Sequence, residues 1–338
     1  MGIKQLAKVI GPYVKKGCWK DMESKIIAID TSIFLYKFQV FSKVPYFGFI
    51  HQILLFKKYG VRPFYIFDGK PPKEKATVIN ERKEKRAEAT KERDELVEKI
   101  NKNETELNEE TKKKLITLNN QCIKITNNEI TTLKMVFDTL GIAYYTAPGE
   151  AEWFCSKLCE NGIVDACLSE DTDLLPNGCK LWIKDYKADS PDYDYYVLDD
   201  ILKGLNMTYF EFQDMCILMG CDYLKPLTKI GKKGGVGPIL AAKLIKEHKT
   251  IEEVIKTHDK TINFEQWDYV KARELFNMPI SKEILGKMYS KMDSQIPKIE
   301  KALEVFDLIC EKFETENKSL RKKLKDFLFI VNNNNIIH

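Results

Sequence analysis

Short apolar runs alternate with longer segments of helical periodicity in the first half of the chain. The runs cover residues 26–29, 63–67, 142–146 and 165–169, and the helical segments cover roughly 32–59, 73–139 and 149–161. This alternation is typical of a parallel sheet with helices on its faces. The chain has 338 residues, 44% of them hydrophobic, so a sizeable core can form. We therefore predict an α/β core over residues 1–215.

A highly charged segment interrupts this pattern after the second predicted strand. Of the 42 residues 73–114, 25 are charged, 13 of them basic and 12 acidic. A helix of this composition cannot bury a wide apolar face, so the segment is either a solvated helical hairpin or a disordered insert. It leaves the core just after Asp68 and returns near Leu133. We therefore predict an insertion over about residues 70–132 at the edge of the sheet where ligands bind.

The second half of the chain is helical in pattern from about residue 208, with one glycine-rich interruption at 229–238. A helical segment, ILAAKLIKEH, and the capping-box spacing of TIEE at 250–253 follow it. These features predict a helix–turn–helix domain over residues 216–312, followed by a C-terminal helix and a disordered tail over 313–338. The turn with Gly235 and Gly237 is either a simple turn or a phosphate site at a helix N-terminus, with Lys243 and Lys246 next to it.

Acidic residues follow every predicted strand. They are Asp30 after the first strand, Asp68 after the second, Glu150 and Glu152 after the third, and Asp171 and Asp173 after the fourth. Because the carboxyl ends of parallel strands share one edge of a sheet, we expect these carboxylates to converge. Asp222, just before the helical domain, is a seventh candidate. A surface cap or turn is the better explanation of any single acidic pair, so the prediction depends on all the strand ends together.

So many carboxylates in one place require cations, because like charges in a cleft repel each other. Oxygen ligands without a nearby histidine favour Mg²⁺ or Mn²⁺ over zinc. Two such ions about 4 Å apart can hydrolyse a phosphodiester bond. The sequence therefore predicts a two-metal site. Glu150 and Glu152 are two residues apart, so both reach it only if Glu150 lies at or before the start of a helix.

Composition adds little about partners. A net charge of +4 is weak evidence for nucleic-acid binding. The N-terminal segment has no long apolar run, so we expect neither a signal peptide nor a membrane span. The nine cysteines include no CxxC pair, which favours reduced core thiols in an intracellular protein over disulfides or zinc ligands.

Several segments together resemble the flap endonuclease family of structure-specific 5′ nucleases. They are MGIKQLAKVI at the start, AIDTSIFLY, FDGKPPKEK, APGEAE, SEDTD, GCDY and GVGP. Their order and spacing agree with the family over roughly residues 1–310. The resemblance implies an α/β parallel-sheet nuclease core whose insertion is a helical arch, followed by a helical helix–turn–helix domain.

The resemblance also assigns roles to residues. All seven acidic candidates match the family's metal-binding carboxylates. Lys75 and Arg82 match a basic pair at the base of the arch that contacts the scissile phosphate, and Arg86 extends this basic stripe. Tyr36 matches an aromatic residue on which a flipped nucleotide stacks, and Gly2 matches a terminal glycine close to the DNA. The alternatives are ordinary solvated charges for the three basic residues and a core position for Tyr36.

Two features depart from the family pattern. Asp222 is 13 residues from Gly235, a longer spacing than usual, and the basic insertion 225–234 puts the family's potassium site at the helix–turn–helix in doubt. Family members often end in a motif that binds the sliding clamp, a glutamine followed by an aliphatic and two aromatic residues. Residues 320–331 offer Phe327 and Phe329 without the glutamine, so we interpret this segment as the last helix and expect no clamp binding.

The predicted function is therefore Mg²⁺- or Mn²⁺-dependent cleavage of branched DNA at a 5′ flap, in replication and repair, by a chain we expect to be monomeric. A 5′ exonuclease or a junction resolvase of the same family is the alternative enzyme, and a non-catalytic DNA-binding module is the alternative from another class. The expected location is the nucleus or a cytoplasmic site of DNA replication.

Overall fold

The computed structural model describes residues 2–103, 105–188, 190–230, 234–292 and 297–335. The strands are β1 Lys15–Cys18, β2 Ile26–Asp30, β3 Arg62–Phe67, β4 Tyr144–Thr146, β5 Ala166–Leu168, β6 Leu181–Tyr186, β7 Asp192–Val197, β8 Thr228–Lys229 and β9 Ile262–Asn263. The helices are α1 Ala7–Ile10, α2 Thr31–Phe41, α3 Pro45–Lys58, α4 Ala76–Asn101, α5 Glu109–Cys122, α6 Asn127–Leu140, α7 Ala151–Glu160, α8 Leu198–Leu205, α9 Tyr209–Met219, α10 Pro238–His248, α11 Ile251–His258, α12 Tyr269–Phe276, α13 Lys282–Lys291, α14 Ile299–Lys312 and α15 Lys318–Asn335.

The central sheet has the strand order β1-β7-β6-β5-β2-β3-β4. All four predicted strands are present as β2, β3, β4 and β5, and they pair in parallel with one another. The sequence reading missed β1, β6 and β7. β6 extends the parallel set next to β5, whereas β7 and β1 add an antiparallel edge. The fold is therefore a mostly parallel α/β sheet, in agreement with the predicted class.

Buried side chains form a core on each face of this sheet. One core contains Phe154 and Leu158 of α7 and continues into the helical half of the chain through Ile217 and Leu244. The other core contains Phe49 and Phe137, from α3 and α6. Strands β2, β3 and β5 carry buried side chains on both faces, which is why they appear in the sequence as continuous apolar runs.

The charged insertion is a helical hairpin. The 26-residue helix α4 packs against the 14-residue helix α5, and in the two helices only Ala89 and Leu118 are buried. The segment is thus ordered as helix although it buries little apolar surface. We call α4 and α5 with their connection the arch.

The predicted helix–turn–helix is present as α10 and α11, which contact each other. Thr250 caps α11 by accepting a hydrogen bond from the Glu253 backbone N–H. Part of the basic insertion 225–234 forms β8, which pairs with β9. Residues 231–233 of that insertion lie outside the described residues.

The last two helices pack on the α/β core rather than on the helix–turn–helix. α14 contacts α6, and α15 contacts α3 and α14. Leu320, Leu324 and Leu328 of α15 are buried in the core that also contains Phe49. The interpretation of 320–331 as the last helix is confirmed. The expectation that the asparagine run at 332–335 is disordered is wrong, because α15 continues to Asn335; residues 336–338 lie outside the described part.

Among the described residues, no helix is both long enough and apolar enough to cross a membrane.

Candidate active site

The predicted carboxylates converge at the carboxyl edge of the parallel strands. Asp30 is the last residue of β2 and Asp68 directly follows β3. A cavity of about 780 Å³ opens at this edge, between the sheet and the arch. Six of the seven predicted carboxylates line it, namely those of Asp30, Asp68, Glu150, Glu152, Asp171 and Asp222. The seventh, Asp173, is only 1% exposed.

Local structure places each of these side chains. Asp30 caps α2, because its Oδ1 atom accepts a hydrogen bond from the Ile33 backbone N–H. Asp68 Oδ1 accepts one from the Ala151 N–H at 2.9 Å, at the start of α7. Glu150 is the N-cap of α7 with extended backbone angles, φ −76° and ψ 144°. Glu150 therefore precedes the helix, as required for it and Glu152 to reach the same site.

Ser169 joins two of the strand ends and was not predicted. Its hydroxyl donates to Asp30 Oδ2 at 3.1 Å and accepts from the Asp171 backbone N–H at 3.1 Å. Tyr223 was also missed, and its hydroxyl donates to Glu150 Oε2 at 2.9 Å. Both lie inside segments that carry the resemblance, SEDTD and GCDY, but nothing in their spacing indicates which carboxylate they contact.

Asp173 shows why this cluster suits cations. Both of its carboxylate oxygens are buried, and neither has a hydrogen-bond partner in the described structure. Burial, together with the nearby Asp171 and Asp222 carboxylates, raises the pKa of Asp173 well above its usual range. A buried carboxylate without a partner costs free energy, and a bound metal ion would remove that cost.

Other carboxyl groups of the cluster also have raised pKa values. Burial and then the Asp68 and Asp171 carboxylates raise the pKa of Asp30 to about 8. Burial likewise raises the pKa of Glu152 and Asp171. Burial and mutual repulsion thus disfavour the charged forms of these carboxylates, and a bound cation would offset both effects. The donors are carboxylate oxygens and no histidine lines the cavity, a set that fits Mg²⁺ or Mn²⁺.

Lys75 supplies positive charge within the cluster. Its ammonium contacts Glu150, lies 3.0 Å from Glu152 Oε1 and lies 3.2 Å from Asp222 Oδ2. Burial lowers the pKa of Lys75, but these three carboxylates outweigh burial and hold it above its usual range. The side chain is buried, so the solvated-charge alternative is wrong for Lys75.

Arg82 and Arg86 of the arch face the same cavity, as does Tyr36 of α2. Arg82 Nη2 lies 2.8 Å from Asp222 Oδ2. Arg86 Nη2 lies 3.4 Å from the Tyr36 hydroxyl, and Arg86 Nε is buried without a hydrogen-bond partner in the described structure. Tyr36 is half-buried and lines the cavity, unlike its core neighbours Phe34 and Leu35. The core alternative for Tyr36 is therefore wrong.

Gly2 packs against the acidic cluster. A Cβ atom there would lie 2.1 Å from Asp171 Oδ1, and the backbone has a positive φ of 80°. Both features require glycine at this position. Gly2 is thus brought to the acidic cluster, and it also lines a second cavity of about 1150 Å³ that shares Arg82 and Asp222 with the first.

The predicted duplex-binding residues lie farther along this surface. Gly235 lines the second cavity and bridges to Thr228. Gly237 is the N-cap of α10, and Lys243 and Lys246 are exposed on that helix. Gly237, Lys243 and Lys246 do not line either cavity.

Comparisons with known proteins agree with this geometry. Models described as the XPG N-terminal domain and the XPG I-region match residues 1–89 and 141–222. Flap endonuclease 1 from Aedes aegypti is 32% identical over 305 residues, and the match covers 82% of this chain and 75% of that protein. The catalytic core of Rad2 in complex with a DNA substrate superposes with a TM-score of 0.65 at 18% identity, over 98% of this chain and 100% of that chain.

The Holliday junction-resolving enzyme GEN1, solved with product DNA, Mg²⁺ and Mn²⁺ ions, superposes with a TM-score of 0.62 at 17% identity. That match covers 93% of this chain and 73% of that chain. The two solved structures share the fold, while the sequence matches identify the family. The chain therefore belongs to the flap endonuclease family of XPG-type nucleases, which hydrolyse DNA and depend on divalent metal ions.

Proposed function

We propose that this chain hydrolyses a DNA phosphodiester bond where a single-stranded 5′ flap joins a duplex, using two divalent cations bound by the seven carboxylates. The observation that carries the proposal is the position of the acidic cluster directly beneath the arch. The partnerless Asp173 carboxylate and the Lys75 ammonium among three acidic groups both support cation binding at this place.

The carboxylates and the basic residues have separate roles in this mechanism. Bound Mg²⁺ or Mn²⁺ would lower the pKa of the attacking water and stabilise charge on the phosphate and the leaving oxygen. Ser169 and Tyr223 orient Asp30 and Glu150 as ligands. Lys75 and Arg82 would contact the scissile phosphate, since bound cations would neutralise the carboxylates that these two side chains contact in this structure.

The arch supports a preference for a free 5′ end. The cavity is bounded by the sheet on one side and by α4 and α5 on the other, with Arg86 and Tyr36 on its wall. Basic and aromatic side chains are the groups that hold single strands. A single strand that enters under the arch through its end reaches the carboxylates, whereas a closed circle has no end to enter.

Duplex binding is assigned to the helix–turn–helix. The N-terminus of α10 offers backbone N–H groups, and Lys243 and Lys246 are exposed beside it. Such backbone contacts recognise structure and not sequence. A potassium ion at this turn stays a prediction, since part of the adjacent insertion lies outside the described residues.

The alternatives make different predictions about substrates. A junction resolvase would cut four-way junctions faster than flaps, and a 5′ exonuclease would degrade nicked or blunt ends as fast as flaps. A non-catalytic binder gains nothing from a buried acidic cluster facing phosphate. The ordered arch above the cluster favours the flap endonuclease.

The test uses end-labelled double-flap, nicked, blunt, four-way and circular single-stranded DNA, each with Mg²⁺ and with EDTA. We expect cleavage only with the metal, fastest on the double flap and absent on circles. Asp173→Asn should slow single-turnover cleavage at least about a hundredfold without loss of a hydrogen bond. Equal cutting of circles and flaps would contradict entry through the 5′ end, and normal cutting by Asp173→Asn would contradict the site.

We also propose that the chain acts as a monomer and without a sliding clamp. The leucines of α15 are used in packing against the core, and the described C-terminal segment carries no glutamine ahead of its aromatic residues.

A further inference from the structure

Three cysteines outside the carboxylate site bring their sulfur atoms together. Cys159 lies near the end of α7, Cys167 lies in β5, and Cys179 lies just before β6. Their Sγ atoms all lie within 4.8 Å of one another, and all three side chains are buried. Every cysteine of the chain is a free thiol in this structure.

The spacing of these sulfur atoms suits a metal better than a disulfide. Zinc–sulfur bonds are about 2.3 Å long, so three thiolates around one ion lie roughly 4 Å apart. A disulfide requires about 2.05 Å between two sulfurs and would leave the third cysteine unpaired. A small inward movement of the side chains would complete a three-sulfur site.

We propose that Cys159, Cys167 and Cys179 bind one thiophilic metal ion, of the Zn²⁺ or Cu⁺ class, at a structural site separate from the carboxylates. Thiolates select these ions over Mg²⁺ and Mn²⁺, which prefer oxygen. Each thiol that coordinates releases its proton to solvent.

The surroundings of the group favour ionisation of one of its three thiols. The Cys167 and Cys179 thiols, assisted by the Leu181 and Lys180 backbone N–H groups, lower the pKa of Cys159 to about 3 even though burial opposes this. Burial raises the pKa of Cys167 and Cys179, so a cation is needed to ionise the whole set. In this structure the Cys167 and Cys179 thiols, which are weak donors, donate to the backbone carbonyl oxygens of Cys155 at 3.0 Å and Leu181 at 3.3 Å.

An ion at the three cysteines would stabilise the elements that carry the carboxylates, without taking part in the cleavage reaction. Helix α7 begins at the Glu150 cap and contains Cys159, and β5 contains Cys167 and leads to Asp171. An ion at the cysteines would fix α7 against β5 and β6, the elements that position these metal ligands. Loss of the ion should therefore lower the melting temperature rather than change the metal requirement of cleavage.

The experiment loads the full-length chain anaerobically with Zn²⁺ or with Cu⁺, in excess Mg²⁺ to occupy the carboxylates, and measures metal per chain after gel filtration. Co²⁺ replacement provides a second readout, because only thiolate ligands give a sulfur-to-cobalt charge-transfer band. We expect about one ion per chain and the cobalt band in the wild type. An organomercurial that caps thiols should release the ion.

Cys179→Ala removes one ligand, and Cys216→Ala is the matched control, since Cys216 is equally buried in α9 but outside the group. Cys179→Ala should lose the ion and the cobalt band, and Cys216→Ala should keep both. The proposal is overturned if the wild type binds neither ion in stoichiometric amount or shows no thiolate–cobalt band, a result that does not require the variant to fold. It is also overturned if Cys179→Ala folds and retains the ion.

Discussion

Replacing Asp30 with asparagine removes one ionisable carboxyl from the acidic cluster and keeps the size of the side chain. The asparagine oxygen can still accept the hydrogen bond from the Ile33 N–H, and its amide can donate to the Ser169 hydroxyl, which has a free lone pair. The substitution therefore isolates the effect of the charge. In the metal-free protein it should be stabilising.

The magnitude follows from the pKa of Asp30, which is raised from 3.8 to about 8, chiefly by burial. A carboxyl with a raised pKa in the folded state opposes folding when it must ionise. This cost is absent below about pH 4 and grows as the pH rises towards the folded-state pKa. It is about 2 kcal/mol at pH 5 and on the order of 5 kcal/mol at pH 8. For a chain of this length, removing this cost should raise the melting temperature of Asp30→Asn above that of the wild type by about 2 °C at pH 5 and by about 7 °C at pH 8.

The assay is thermal unfolding in EDTA at pH 5 and pH 8, for the wild type, Asp30→Asn and the control Asp192→Asn, whose carboxylate is exposed at the start of β7. Saturating Mg²⁺ should narrow the difference at pH 8 by roughly half, because the wild type gains binding free energy, about 2.7 kcal/mol at a hundredfold excess over Kd. If Asp30→Asn in EDTA is no more stable than the wild type at pH 8, or gains equally at both pH values, the argument from buried charge fails.

The remaining predictions concern Lys75, the separation of cleavage from duplex binding, and the C-terminal segment. Lys75→Met should destabilise the EDTA-treated protein by about 3–5 kcal/mol, because three buried carboxylates lose their cation, and should slow single-turnover cleavage about a hundredfold in saturating Mg²⁺. The control Lys83→Met, at an exposed lysine, should change neither the stability nor the rate. A cleavage rate within twofold of the wild type for Lys75→Met would contradict the phosphate contact. Asp171→Ala should bind flap DNA in Ca²⁺ as tightly as the wild type and yet fail to cut it in Mg²⁺, whereas Lys243→Ala should bind less tightly with a salt slope smaller by about one and nearly normal saturated turnover. Residues 310–338 should not capture a sliding clamp in a pull-down, and capture would contradict the expectation of clamp-independent activity.

The convergence of the acidic residues was predictable from sequence because they follow parallel strands. Asp30, Asp68 and Asp171 each come directly or shortly after an apolar run, and parallel pairing brings such ends to one edge whatever the details of packing. The position of Glu150 before a helix was also predictable, since two residues that are two apart do not share a helix face and can reach one site only if the first lies at or before the helix cap. Conversely, β1 and β7 were missed because an antiparallel edge does not produce the buried apolar runs that mark the parallel strands.

The contacts between elements were decided by the tertiary structure. The Tyr223 hydroxyl reaches Glu150, the Ser169 hydroxyl links Asp30 to Asp171, and the Lys75 ammonium enters the acidic cluster, each across a large separation in sequence. The three-cysteine group is the clearest case, because its members come from α7, β5 and the turn before β6 and share no spacing motif. Periodicity reports which face of an element is buried, but the partner that a buried side chain meets depends on how the elements pack together.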